Sequence, residues 1–200
     1  MIFTEHHKDV KAKGECIVSG EDLVCKDLII EGDFILVGNL LCRDIDIKGN
    51  CTIYGNIYYC RKVNVQGDLC VIADPIELLG KLNGGFFAPY GDIEVGGNLV
   101  CDSHIRAGCQ KIKVGADCIT RHVECESISV AGDCMVYPCG IDSEKAVYVL
   151  GDLTTGFAIE APKVFCGGKY TREFYAEEEI AKIYEGCKHW HKVKKSNVSD

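Results

Sequence analysis

Residues 28–71 read LIIEGDFILVGNLLCRDIDIKGNCTIYGNIYYCRKVNVQGDLCV. The apolar residues fall in pairs two apart: Leu28/Ile30, Phe34/Leu36, Leu40/Cys42, Ile45/Ile47, Cys51/Ile53, Ile57/Tyr59, Val63/Val65 and Leu69/Val71. Alternation within a pair is the period of a strand that buries one face. Each pair starts five or six residues after the last, so the strands are very short and a corner follows each. The corners carry a longer repeat. Gly32-Asp33, Gly49-Asn50 and Gly67-Asp68 recur every 17 to 18 residues, Gly38-Asn39 matches Gly55-Asn56, and a third corner reads Cys25-Lys26-Asp27, Cys42-Arg43-Asp44 and Cys60-Arg61-Lys62. Three strands and three distinguishable corners describe one turn of a triangular solenoid. Equivalent strands of successive turns then pair in parallel about 4.8 Å apart, and inward residues stack in columns. Glycine followed by Asp or Asn suits such corners, because glycine adopts positive φ freely and a short Asx side chain bonds nearby backbone. That reading makes the Asx columns structural.

The rest of the chain extends the pattern. Val10/Ala12, Cys16/Val18 and Leu23/Cys25 form an opening turn, and residues 1–9 read as an N-terminal tail or cap. Between Ile72 and Tyr90 the rhythm breaks at Asp74-Pro75 and Asn83-Gly84-Gly85-Phe86-Phe87-Ala88-Pro89-Tyr90. Proline and paired glycines mark an excursion from the column. Residues 72–92 are therefore read as an insertion, with Phe86, Phe87 and Tyr90 either covering the column's side or forming an interaction surface. Regular pairs resume from Ile93/Val95 through Leu99/Cys101, Ile105/Ala107, Ile112/Val114, Cys118/Thr120, Val123/Cys125, Ile128/Val130 and Cys134/Val136. After an irregularity at Tyr137 to Lys145 they continue through Val147/Val149, Leu153/Thr155, Phe157/Ile159 and Val164/Cys166, giving eight or nine turns over residues 10–168. From Thr171, a candidate N-cap, the period becomes helical, with Phe174, Ile180, Ile183, Tyr184 and Cys187 on one stripe. Residues 169–187 are expected to cap the open solenoid end, and 188–200 form a basic tail.

Composition bounds the classes. Apolar residues are 47% of 200, ample for a core, and the formal charge of −8 argues against a nucleic-acid groove. No run of 18 apolar residues predicts a membrane span, and the first residues lack the features of a signal peptide. Fourteen cysteines in a chain with a periodic core are expected to be reduced thiols, several serving as small apolar core residues such as Cys51, Cys101 and Cys118. A cytoplasmic location is the corresponding expectation.

The repeat, with motifs such as Val63-Asn-Val-Gln-Gly-Asp-Leu69 and Ile128-Ser-Val-Ala-Gly-Asp-Cys134, resembles the bactofilins, bacterial polymer-forming proteins with a right-handed β-helical core. The resemblance runs from about Val10 to Cys166. It implies an all-β, right-handed parallel β-helix acting as a scaffold, with itself and an unidentified protein as partners, no cofactor and no catalysis. The chain departs from that family in its longer column, its insertion and its helical C-terminal segment. Left-handed hexapeptide-repeat acyltransferases share 18-residue turns, a protruding loop and a C-terminal helix. Here, however, both members of an inward pair are often large, and glycine follows one residue later than in that repeat.

Candidate chemistry is sparse. His104 and His122 lie 18 residues apart, one turn, and in an acyltransferase one of them would serve as general base. As a metal site the pair lacks a third ligand. Cys25, Cys42 and Cys60 would stack one strand apart, without the CxxC spacing of a strong thiolate site. His6, His7, His189 and His191 lie near the termini. Asp33, Asp68, Asp133 and Asp152 fall on glycine corners, where turn formation explains them better than glycosidic chemistry. No catalytic, cofactor or metal residue is therefore assigned. An acidic rod could also act as an inhibitor that imitates nucleic acid, although Lys and Arg are interspersed on most corners.

Overall fold

A computed structural model describes residues 8–19, 22–58, 60–72, 87–88, 91–105 and 110–172. All strand pairings are parallel and join every strand into one continuous sheet wound into a solenoid of about eight coils. The first face begins with Val10–Lys13, Asp27–Glu31 and Asp44–Ile47; the second with Cys16–Ser19, Phe34–Val37 and Cys51–Tyr54; the third with Leu23–Val24, Leu40–Leu41 and Ile57–Tyr58. Each strand pairs with its equivalent one coil on, as Val10 with Leu28, Cys16 with Phe34 and Leu23 with Leu40. Strands this short are marginal alone. Stacking supplies what they lack: parallel hydrogen bonds to the coils on either side and one shared core.

That core is the set of inward pairs. Leu28, Ile30, Phe34, Leu36, Leu40, Ile53 and Ile57 have no exposed surface, and the buried columns continue through Val63, Leu99, Val123, Val147 and Leu153. Cys51, Cys101 and Cys118 are fully buried among them, as expected. Tyr59 lies outside the described residues; Cys60, fully buried with its Sγ 3.4 Å from that of Cys42, continues the Cys42 column. Ala107 also lies outside. One expected pair is wrong. Phe157 points outward and is exposed, while Ile159 and Ala161 pack against the core. The corner that displaces Phe157 is held from beside it, where Thr155 Oγ1 donates to the Phe157 carbonyl at 2.8 Å.

The Gly-Asx corner between first and second faces differs from expectation in its physical cause, whereas Gly38 and Gly55, before Asn39 and Asn56, take the expected positive φ. Among the described residues positive φ occurs only at Gly14, Gly38 and Gly55, at 80°, 145° and 153°. The glycines of the Gly-Asx corner between first and second faces have none. What they lack is room for a Cβ, which would stand 2.3 Å from Asp33 Oδ1 at Gly49, 2.3 Å from Asn50 Oδ1 at Gly67 and 2.1 Å from Asp68 Oδ1 at Gly97. Each of those oxygens is occupied. Asp33 Oδ1 accepts the Asn50 backbone N–H at 2.7 Å, Asn50 Oδ1 that of Asp68 at 3.0 Å, and Asp68 Oδ1 that of Asn98 at 2.6 Å. The ladder continues through Asp117, Asp133 and Asp152 to the Lys169 N–H. At these three corners glycine leaves open the space through which the rung from the coil below passes.

The insertion is narrower than residues 72–92. Ile72 ends the strand Leu69–Ile72, and Phe87–Ala88 is already back on the third face, with Phe87 in register with Ile57 and Ile105. Val63 pairs with Ile93, 30 residues on, whereas other coils advance by 16 to 19, so the extra residues fall between Ile72 and Phe87. Phe86 and Tyr90 lie outside the described residues. Next to this departure point Cys70, Ile72, Val100 and Tyr137 alternate away from the core yet are buried, forming a second apolar cluster on the outer side of the second face. The later irregularity is also short. Tyr137-Pro138 is a cis peptide, and the strand Ile141–Val149 follows at once. At the far end Tyr170–Arg172 is a strand paired with Leu153–Thr155, so the column passes residue 168; the expected helix beyond it lies outside the described residues.

Candidate functional site

The corner into the third face places one residue per coil directly before the inward residue of that face. In the first coils this residue is Asp22, Asn39 and Asn56, before Leu23, Leu40 and Ile57. They form a second side-chain ladder: Asp22 Oδ1 accepts the Asn39 N–H at 2.9 Å, and Asn39 Oδ1 accepts the Asn56 N–H at 3.0 Å. Following the register through Ile105, Val123, Ile141 and Ile159, the same column continues as His104, His122, Gly140 and Ala158. The two column histidines thus occupy the ladder's own place. At the two histidines the chain takes the corner within longer strands, Leu99–Ile105 and Cys118–Val130, whereas Gly140 and Ala158 lie just before the strands Ile141–Val149 and Ile159–Glu160.

With Gly140 and Ala158 small, the wall opens into a groove of about 580 Å³ lined by His104, His122, Cys139, Asp142, Glu160 and Arg172, with Phe157 at its edge. The imidazole rings of His104 and His122 have centroids 5.5 Å apart and are tilted by 56°. His122 Nε2 stands 3.5 Å from Asp142 Oδ2; the imidazole is 18% exposed and the carboxylate 49%. Burial pushes the Cys139 thiol up, opposed by the Arg121 guanidinium, so the thiol is the resting form.

On the other side of Asp142, Glu124, Asp142 and Glu160 stack in register over three coils and line a second groove of about 660 Å³ with Glu126 and Glu144. Like charges at strand spacing repel, and cations answer part of this. Lys145 pairs with Glu126 and holds that carboxyl below its usual range.

The remaining candidates are structural. Cys25, Cys42 and Cys60 stack as expected but are buried. A hydrogen bond from Cys42 lowers Cys25, whereas bonds to both neighbours and burial raise Cys42. Asp33, Asp68, Asp133 and Asp152 are spent on the ladder. His6, His7, His189 and His191 lie outside the described residues. Among the described residues no three His, Cys, Asp or Glu side chains converge as a metal cluster, and no helix is long and apolar enough to cross a membrane. Sequence reasoning paired the histidines but missed Asp142, Glu160, Cys139 and Arg172. Asp142 and Glu160 lie at 18-residue steps from Glu124, so their spacing was there to be read, whereas nothing in the sequence marks Cys139 or Arg172 as their neighbours.

No family model, curated protein or solved structure matches this chain.

Proposed function

We propose that the protein is a non-catalytic, bactofilin-like scaffold, a right-handed β-helix that associates end to end in the cytoplasm. The observation that carries this reading is the state of the last described coil. Val164 and Tyr170 continue inward columns above Val147 and Leu153, yet they are 49% and 47% exposed, while the residues beneath them are fully buried. At the opposite end Val10, Ala12, Cys16 and Val18 are likewise only partly buried. Two described ends of the same three-sided outline, each with inward residues less buried than those of the middle coils, favour stacking of a second copy. The described cysteines are all free, which supports a reducing compartment. Sedimentation velocity with electron microscopy tests the reading: assemblies that lengthen with concentration are expected, and Val164→Lys should shorten them. A monomer at all concentrations would overturn it.

The groove favours a second reading as a hexapeptide-type acyltransferase. His122, with the Asp142 carboxylate 3.5 Å from its Nε2, would take the proton of an acceptor hydroxyl or amine. Protection of the fold by acyl-coenzyme A against thermal unfolding would move the assignment there. An acidic nucleic-acid mimic is less favoured, since one carboxylate per coil at about 4.8 Å is much sparser than the charge of duplex DNA, about one per 1.7 Å.

A further inference from the structure

We propose that His104, His122 and Asp142 form a surface site for a zinc-class transition-metal dication, with its fourth coordination position open. Independent of either functional reading, the inference rests on spacing. A histidine nitrogen binds zinc at about 2.0–2.1 Å, which puts the ring centroid about 3.2 Å from the ion; two such rings at a tetrahedral angle have centroids about 5.2 Å apart. The His104 and His122 centroids are 5.5 Å apart. Two ligand atoms on one tetrahedral ion lie about 3.3 Å from each other by the same geometry. His122 Nε2 and Asp142 Oδ2 are 3.5 Å apart, beyond the usual range of a hydrogen bond and close to the separation of two ligands.

Two imidazoles and one carboxylate select zinc, copper, nickel or cobalt over magnesium or calcium. The pair His122–Asp142 is in place, but the three donors do not yet meet at one point. His104 supplies the missing movement: its side chain is exposed, and exposed rotamers exchange on the picosecond to nanosecond scale. Gly140, in the same column above His122, leaves the space that the ion and its water would fill. Glu160 on the groove wall stands by as a further donor. Because the three ligands come from three successive coils, the ion would clip those coils together and stabilise the native column.

Titration of the full chain with Co²⁺, read by its visible d–d absorption and by thermal unfolding, tests the site. One equivalent is expected to give a tetrahedral spectrum and to raise the unfolding temperature. Asp142→Asn and His122→Ala should each weaken binding by about tenfold or more and remove the thermal shift, with far-UV circular dichroism unchanged. Replacing His6, His7, His189 and His191 together by alanine should leave the equivalent intact. The proposal is overturned if that quadruple variant loses the signal while His122→Ala keeps it, or if a thiolate-to-cobalt charge-transfer band places the ion on cysteine.

Discussion

The corner entering the third face is made in two ways along this column. In the first three coils Asp22, Asn39 and Asn56 bridge coil to coil, and Gly38 and Gly55 take positive φ to turn the chain beneath them. In the later coils the same position holds His104, His122, Gly140 and Ala158, and at the two histidines the strand runs on through the bend. Where the side chain is needed to satisfy the next coil's N–H, only Asp or Asn has the reach and acceptor. Where continuous strands carry the bend, the position is released to other chemistry, and the groove lies there. By contrast, the corner between first and second faces keeps its Asx ladder from Asp33 to Lys169.

The largest expected contrast lies in the core. Phe34 fills an inward column between Cys16 and Cys51, whereas Cys118 and Cys134 are adjacent small residues in the later half of that column. Phe34→Ala should cost about 3–5 kcal/mol by urea denaturation. Cys134→Ala should cost only about 1 kcal/mol, as a small side chain removed from a site already narrow. Equal losses would mean that the two halves are packed alike and would remove the physical distinction between them.

The ladder shared by both halves can be broken by a methyl group. Gly67→Ala puts a Cβ 2.3 Å from Asn50 Oδ1, and the shift needed should cost about 1–3 kcal/mol, the usual range for overpacking. The chain contains its own control at Ala116, which occupies the equivalent corner; its backbone bond to Gly97, 3.1 Å, is the longest in that series. Ala116→Gly should change the urea midpoint little. A neutral Gly67→Ala would show that crowding by the rung does not explain the glycines.

Both halves should weaken together in alkali. Burial pushes the Cys51 and Cys125 thiols up, Cys125 to about 12, and a hydrogen bond from Cys134 together with burial raises Cys118. Their unfolded pKa is near 8.5, so below that pH both states hold the proton and the stabilisation is complete. Above it the unfolded chain loses protons that the folded chain keeps, and stability should fall by about 1.4 kcal/mol per pH unit for each thiol. Urea midpoints between pH 8 and about pH 10.5 measure the slope. Cys51→Val and Cys118→Val should each reduce it; a flat wild-type profile would show that these thiols are not held protonated.

Most of the column was legible because its signals are local and repeated. Period-two pairs from Leu28 to Val71 and Gly-Asx corners state the strands, their burial and the parallel stacking without reference to anything distant. The cause of the glycines was not legible: positive φ and an occupying rung leave the same residue, and only the neighbouring coil distinguishes them. Phe157 was misplaced for a related reason, since an aromatic two residues before Ile159 satisfies the inward pattern while the bend held by Thr155 turns it out. The groove was half visible. His104 and His122 sit one regular coil apart, and Asp142 and Glu160 fall at the same 18-residue step from Glu124, but acids on an outward column read as a solvated face until the groove beside them is seen.

The smallest effect is the sharpest test of the two corner designs, because it compares one column position in each. Asn39→Ala removes the acceptor of the Asn56 N–H and the donor to Asp22, and should cost about 1–3 kcal/mol as a part-buried amide loses its partner. His104→Ala, at the same position in a later coil, should change metal-free stability by no more than about 0.5 kcal/mol, the figure for surface substitutions. The reciprocal change is more telling. His104→Asn would restore the ladder's residue type without its glycine-led bend, and should leave the urea midpoint unchanged, since in the continuous strand Leu99–Ile105 the backbone follows another path. A gain in stability from His104→Asn would mean that the corner still accepts a rung, and that the histidine is held there at the expense of the fold.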